Sequence, residues 1–248
     1  MRLTGKTAIV TGGASGFGAG IVRKFTSEGA RVMIADVNEE GARDLADQMG
    51  DHALACAVDV ANGASVDAMA RAALDAWSHV DILVNNAGVT HLPAALEEVS
   101  EADFDRVLAV NAKSVYLTAR ALVPHMKERG AGNILNIAST AGVSPRPRLN
   151  WYNASKGWMI TATKAMAVEL APAGLRVNAL NPVAGETPLL KSFMGEDTPE
   201  IRAKFLATIP LGRFSTPQDM GNAACFLCSD EASMITGVAM EVDGGRCI

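Results

Sequence analysis

The chain has 248 residues, 49% hydrophobic and 20% charged, an ordinary globular composition that is neither disordered nor fibrous. With 22 basic against 27 acidic side chains the net charge is −5 and no long basic run occurs, so the electrostatic footprint of a nucleic-acid binder is missing. Aromatic residues make up only 5%, which also speaks against base-stacking platforms and leaves a soluble enzyme or a soluble binding protein.

Short β-rich runs alternate with longer helical ones along the whole chain. Thr7-Ala8-Ile9-Val10 reads as a buried strand, and residues 16–28 as the helix after it. Residues 31–35 form the next strand, followed by a helix over 39–49. Five more strands are expected at 53–58, 80–84, 133–137, 175–179 and 238–242, with helices at 64–77, 101–128, 151–170 and 217–228. Several strands are nearly continuous apolar runs, as strands covered on both faces are. Gly29, Gly50, Gly130 and Gly174 fall where helices should stop. This alternation predicts an α/β fold, a doubly wound sheet of about seven parallel strands with helices on both faces. Residues 1–248 read as one domain, interrupted only by an insertion at about 182–216, a place suited to a lid or binding loop.

No apolar stretch approaches the roughly 20 residues that span a bilayer. The N-terminus runs into the first strand without room for a signal peptide, so no membrane contact and a cytoplasmic location are expected. Of the four cysteines only Cys225 and Cys228 are close, and they lie in an apolar helical stretch with no nearby histidine, which favours two small core residues over a redox or zinc pair. His52, His79, His91 and His125 lack ligand spacing, and no metal is expected. His91 reads as a loop residue and Trp151 as packing.

Strand one ends in Thr11-Gly12-Gly13-Ala14-Ser15-Gly16-Phe17-Gly18. Glycines let this turn approach a ligand closely, and the helix behind it aims free N–H groups and a positive dipole end at a pyrophosphate. The Gly-x-x-x-Gly-x-Gly spacing departs from the general dinucleotide fingerprint, but the turn follows a strand, opens a helix, and has Asp36 at the end of strand two. A carboxylate there accepts ribose hydroxyls and repels a 2′-phosphate, and neither Ser15 nor Val37 supplies a cation, so NAD is favoured over NADP.

Tyr152-Asn153-Ala154-Ser155-Lys156 puts a tyrosine and a lysine on one helix face, one turn apart. A free tyrosine titrates near about pH 10, and a neighbouring ammonium lowers that value, which makes the pair a general acid–base. Ser139 ends a buried strand, where its hydroxyl can hydrogen-bond a substrate carbonyl. Asn85-Asn86-Ala87-Gly88 closes the fourth strand, and Asn111 sits mid-helix, a poor place for asparagine. Ligands bind at such strand ends in open α/β sheets.

In order and spacing, these residues resemble the short-chain dehydrogenase/reductase family of single-domain Rossmann-type enzymes over essentially the whole chain. The resemblance continues through Asp59, Asn181-Pro182 with Thr187, and Asp243-Gly244-Gly245. It implies that Tyr152 passes the proton, that Lys156 lowers its pKa while binding the nicotinamide ribose, that Ser139 polarises the carbonyl, and that Asn111 holds a water linking Lys156 to solvent. It implies further cofactor contacts at Gly12, Ser15, Gly16, Phe17 and Gly18, at Asp36, at Asp59 (to the adenine amino group) with Val60, and at Tyr152 itself. Asn86, Ala87 and Gly88 would line the ribose side, and Pro182 and Val183 would lie beside Thr187, which would hold the carboxamide or pyrophosphate. Val183 stands where the family often has glycine, which bears on the backbone path at the pocket roof. The family also implies a homotetramer.

The implied reaction interconverts an alcohol and a ketone or aldehyde by hydride transfer, on a small-molecule substrate. Readings as a 3-oxoacyl-carrier-protein reductase or a glucose-type sugar dehydrogenase stay open, although the former commonly prefers NADPH, against Asp36. A catalytically silent nucleotide-sensing protein is the alternative from another class. Gly185-Glu186-Thr187-Pro188, Ile209-Pro210-Leu211-Gly212-Arg213-Phe214 and Asp243-Gly244-Gly245-Arg246 resemble a bacterial catabolic subgroup that includes formylbenzenesulfonate dehydrogenase-like members. Between Ser139 and Tyr152, Arg146 and Arg148 are separated by proline in a segment expected to border the substrate cleft, where one of them would favour an anionic or polyhydroxylated substrate.

Overall fold

Alternation within each strand divides the core into two layers. In β1 (Thr7–Thr11), Ala8 and Val10 pack on one face and Ile9 on the other, all with no exposed surface. The same division runs through β2 (Arg31–Asp36), β4 (Ile82–Asn85), β5 (Gly132–Ile137) and β6 (Leu175–Pro182). One face is covered by α1 (Gly16–Ser27), α2 (Glu39–Met49) and α9 (Pro217–Cys228). The other is covered by α3 (Gly63–Trp77), α5 (Ser114–Arg129) and α6 (Asn150–Leu170). With β3 (Ala53–Ala57) and β7 (Ala239–Val242) the computed structural model, which describes residues 1–248, forms a seven-stranded sheet in the order β3-β2-β1-β4-β5-β6-β7. Every neighbouring pair is parallel. The expected doubly wound architecture is present.

Differences from the expected elements are local. The helix expected over 101–128 is α4 (Glu101–Leu108) joined to α5 by a π-helical turn at Ala109–Lys113, and Asn111 sits in that turn. The wider turn is the local response to an asparagine whose side chain bonds sideways to another loop. The insertion after β6 is ordered: α7 (Leu190–Met194) and α8 (Pro199–Leu206) fold over a small apolar cluster of Val183, Leu190, Met194, Ile209 and Phe214. Val183 is therefore a buried member of that cluster, and the backbone continues straight on from β6 with the Val183 N–H donating to Val242 O at 3.5 Å. Cys225 and Cys228 both face the core from α9, and burial raises both thiols, so they behave as small hydrophobes.

Helix α9 lies against α1 so closely that a Cβ on Gly20 would sit 2.1 Å from the carbonyl oxygen of Pro217. The start of α9 is fixed there by a capping box between Thr216 and Asp219, so the carbonyl has little freedom to retreat. Gly20→Ala should therefore cost about 1–3 kcal/mol of stability, read as a lower urea midpoint; an unchanged midpoint would mean that the two helices separate freely.

Candidate active site

The carboxyl ends of β1, β4, β5 and β6 open onto one cleft of about 630 Å³, at the point where the strand order reverses around β1. At one end Gly12, Ser15, Gly16 and Phe17 form the wall. Ser15 stands at the start of α1 in extended conformation but makes no side-chain cap hydrogen bond. The first turns of α2, α3 and α4, by contrast, are capped by Asn38, Asn62 and Ser100. The N–H groups at the positive end of α1 are thus left for an anionic ligand, and the residues present fit a pyrophosphate. Thr187 reaches over the same turn, since a Cβ on Gly16 would lie 3.1 Å from Thr187 Cβ. Gly18, expected among the contacts, does not line the cleft. It packs under the turn, where a Cβ would lie 2.1 Å from Gly12 O.

Further along the wall, Asp36 Oδ2 accepts from the Ala14 N–H at 3.0 Å and Oδ1 from the Asn38 N–H at 2.9 Å. Each oxygen is thus oriented by one bond and keeps further accepting capacity, and Asp36 lines the cleft, as two ribose hydroxyls require. Asp59 is held by the Ala61 N–H at 2.9 Å beside Val60, and both line the cleft. Asn86, Ala87 and Gly88 form the facing wall, and Pro182 and Val183 complete it. The Asn86 amide nitrogen is spent on the fold: it donates to Thr11 O and Gly12 O, each at 2.9 Å.

Ser139, Tyr152 and Lys156 meet at the other end. The Ser139 hydroxyl oxygen accepts from the Ala141 N–H at 3.0 Å, which leaves its proton to donate. Burial pushes the Tyr152 phenol up to about 12, with the Ser139 hydroxyl pulling the other way. Burial brings the Lys156 ammonium down to about 8. The expected lowering of the phenol by its ammonium neighbour is not present, for a geometric reason. Lys156 Nζ donates to Ile137 O at 2.8 Å and lies 5.9 Å from the Tyr152 ring centroid. In a desolvated pocket each charged form is disfavoured, so the resting chain holds a neutral phenol at neutral pH.

Asn111 is fully buried and its side chain does not line the cleft. Its amide oxygen accepts from the Val89 N–H at 2.9 Å, and its nitrogen donates to Val89 O at 2.9 Å and Ser155 Oγ at 3.0 Å. Those bonds clamp the Gly88–Val89 wall loop opposite Lys156, so the side chain acts as a positioning group for that loop. A Cβ on Gly88 would meet both Lys156 Nζ, at 3.4 Å, and Asn111 Oδ1, at 3.5 Å, which shows how tightly the three converge.

The two arginines separate. Arg146 lines the cleft, whereas Arg148 is exposed and donates to Pro93 O at 3.3 Å. Trp151 packs edge-on to Phe104 at 5.3 Å, and His91 is buried with Nδ1 2.8 Å from Leu92 O; neither lines the cleft. Among the wall residues that went unread in the sequence are Val89, Phe193, whose ring meets that of Tyr152 at 5.0 Å, and Phe205. The two phenylalanines lie on the short helices α7 and α8, too brief to show a period; their aromatic character inside the insertion was the one available signal.

A family model described as enoyl-(acyl carrier protein) reductase matches residues 12–246. A 4-formylbenzenesulfonate dehydrogenase of Comamonas testosteroni is 50% identical, with 100% of each chain covered. A 2,5-dichloro-2,5-cyclohexadiene-1,4-diol dehydrogenase of Sphingobium indicum is 37% identical, covering 98% of this chain and 97% of that one. The crystal structure of a 3-ketoacyl-(acyl-carrier-protein) reductase from Brucella melitensis complexed with NADH superposes with a TM-score of 0.95 at 53% identity, over 99% of this chain and 100% of that one.

The buried ammonium has a consequence for stability. Its folded value of about 8 lies below the ordinary 10.5, so between those values the unfolded chain binds the extra proton and stability rises with pH. Relative to Lys156→Met, wild type should gain on the order of 2 kcal/mol between pH 8 and pH 10 in urea unfolding. A difference that stays flat would mean that the ammonium is solvated.

Proposed function

The chain belongs to the short-chain dehydrogenase/reductase family, and on that premise we propose that it is an NAD(H)-dependent oxidoreductase interconverting an alcohol and a ketone or aldehyde. The observation that carries this reading is the meeting of Ser139, Tyr152 and Lys156 in a cleft that runs on to the uncapped start of α1. The chemistry that a bound NAD(H) supplies is hydride donation or acceptance at its nicotinamide ring.

Tyr152, neutral at rest, gives its phenolic proton to the carbonyl oxygen as negative charge develops there, and takes it back in the reverse direction. Ser139 donates a hydrogen bond to the same oxygen, using the proton that its contact with Ala141 leaves free. Lys156 has donors to spare after its bond to Ile137 and holds the ribose next to Tyr152. The start of α1, with Thr187 above it, holds the pyrophosphate, and Asp59 and Val60 border the adenine. Asn111 keeps the Gly88–Val89 wall in place. The Asp36 carboxylate accepts the adenosine ribose hydroxyls and disfavours a 2′-phosphate, with the exposed Val37 beside it offering no cation. Exposed Tyr116 on α5 with Trp158 and Val168 on α6 supports assembly into a homotetramer through those helices. No helix is long and apolar enough to cross a membrane. The four free cysteines support a reducing, cytoplasmic setting.

Tyr152→Phe removes the proton donor but keeps the ring and the other groups that hold the nucleotide. Turnover should fall by about 10²–10⁴ while NADH binding, followed by fluorescence titration, changes little; undiminished turnover would overturn the assignment. Asp36→Ala combined with Val37→Arg should move the NADPH/NADH ratio of kcat/KM toward NADPH by about ten- to hundredfold. A wild type that already prefers NADPH would contradict the role given to Asp36.

A further inference from the structure

Most surface arginines in this chain sit against a carboxylate: Arg106 on Asp103, Arg120 on Asp67, Arg202 on Asp197 and Arg213 on Asp219. Arg146 does not, although the chain is acidic overall and Arg146 lines the cleft. Its guanidinium lies over the ring of Phe205 with Cζ 4.2 Å from the centroid, and Nη2 donates to Thr208 Oγ1 at 3.2 Å. Stacking occupies the face of the group and leaves most in-plane N–H donors unused, in the fork geometry that matches an oxyanion. The main chain is tied to the reaction centre as well, because Asn153, the residue after Tyr152, donates from Nδ2 to Arg146 O at 2.7 Å.

A second unneutralised cation stands behind it. Arg246, from the C-terminal segment, donates from Nη1 to Ser144 Oγ at 3.1 Å, and its buried Nε has no partner. Asp243, its nearest acid in sequence, has both oxygens engaged, by the Gly245 N–H at 2.9 Å and the Cys247 N–H at 2.8 Å. Burial, and then the proximity of Arg246, lowers the pKa of Arg146, as expected of a guanidinium that has a second cation nearby and no ion-pair partner of its own. A fold that needed only to pin this loop would be served by neutral side chains. Two partly desolvated guanidinium groups that form no ion pair are costly until an anion arrives. Beside the polar Asn153, Leu149, Phe193 and Phe205 line the same cleft and offer apolar surface for a ring or short hydrocarbon body.

We propose that Arg146, backed by Arg246, is the anchor for an acidic group on the substrate, so that the cleft selects alcohols or carbonyls built on an apolar, ring-sized body that also carries a carboxylate or sulfonate. This rests on the reading of the Tyr152 end as the reaction centre. Arg146 is the specificity-determining contact, and Arg246 raises the local positive potential.

Binding decides the matter apart from catalysis. The probes are 4-methylbenzoate and its neutral counterpart 4-methylbenzamide, neither of which can be oxidised or reduced in the assay, titrated calorimetrically with and without NADH. Wild type should bind the anion about ten- to hundredfold more tightly than the amide. Arg146→Met, which keeps an unbranched apolar stem on Phe205, should abolish that preference and leave the amide affinity in place. Arg246→Met should reduce the preference part of the way, and it carries the test should the first variant not fold. Equal affinities in wild type, no binding of either probe, a preference that survives Arg146→Met, or equal losses for both probes would each overturn the proposal, as would an unchanged preference in Arg246→Met where that variant stands alone. Hydride transfer is scored separately, from NADH oxidation across a panel of neutral and acidic aldehydes and ketones. Its failure throughout would overturn the oxidoreductase reading, while the anion preference would still stand or fall on the titrations.

Discussion

The site depends on a polar join between the ends of β1 and β4, the two strands from which the sheet is wound in opposite directions. Thr11 Oγ1 donates to Val84 O at 3.3 Å and accepts from the N–H groups of Asn86 and Ala87 at 3.0 and 3.1 Å. Asn86 returns its amide to Thr11 O and Gly12 O. Apolar packing would hold these strand ends together but not in register, because it is non-directional. The hydrogen bonds set the separation between the glycine turn and the facing wall, and so the width of the cleft. Thr11 is buried, so losing one of its partners leaves another group there unsatisfied.

A second buried ladder places the helix that carries the reactive pair. Asn85 Nδ2 donates to Asn136 Oδ1 at 2.8 Å, and Asn136 Nδ2 donates to Thr163 Oγ1 on α6 at 2.9 Å. Thr118 on α5 donates to Asn85 Oδ1 at 2.8 Å. Four polar side chains in the sheet–helix interface thus specify the rotation of α6 about its own axis. That rotation aims Tyr152 and Lys156 at the end of β5, where Ser139 waits. An interface of leucines would tolerate slippage by a fraction of a turn. This one does not, because each amide has its named partner.

The chemistry follows from how dry the resulting pocket is. Burial acts on the phenol and the ammonium in opposite directions on the pKa scale, yet for one reason: both charged forms lose water. A neutral tyrosine is the form required to protonate a developing alkoxide, so the reducing direction needs no prior deprotonation. The insertion contributes the remaining surface. Its small core around Val183 holds α7 and α8 over the open side, and with them the rings of Phe193 and Phe205. The turn that binds phosphate, the pair that moves a proton and the ring-lined slot therefore come from three separately stabilised parts of the fold.

Much of this was legible in the residues themselves. Nearly continuous apolar runs such as 32–35 and 82–84 read as strands covered on both sides, and the glycine-rich stretch from Gly12 to Gly18, set between a strand and a helix with Asp36 nearby, read as a ligand-facing turn. Tyr152 and Lys156 had to share a helix face, because helical spacing is a local property that covalent geometry enforces. What the tertiary structure decided concerns long side chains and distant partners. Arg146 and Arg148 look equivalent in sequence, but Arg146 finds the ring of Phe205 and lines the cleft, whereas Arg148 finds the carbonyl of Pro93 and does not, both partners being far along the chain. Lys156 could have reached toward Tyr152, and the carbonyl at the end of β5 takes its ammonium instead. Asn111 could have faced the cleft, and the backbone of Val89 closes on both ends of its amide. Sequence determines which groups a segment offers and on which face. Which partner a flexible side chain finds depends on chain packing across tens of residues, and no local period records it.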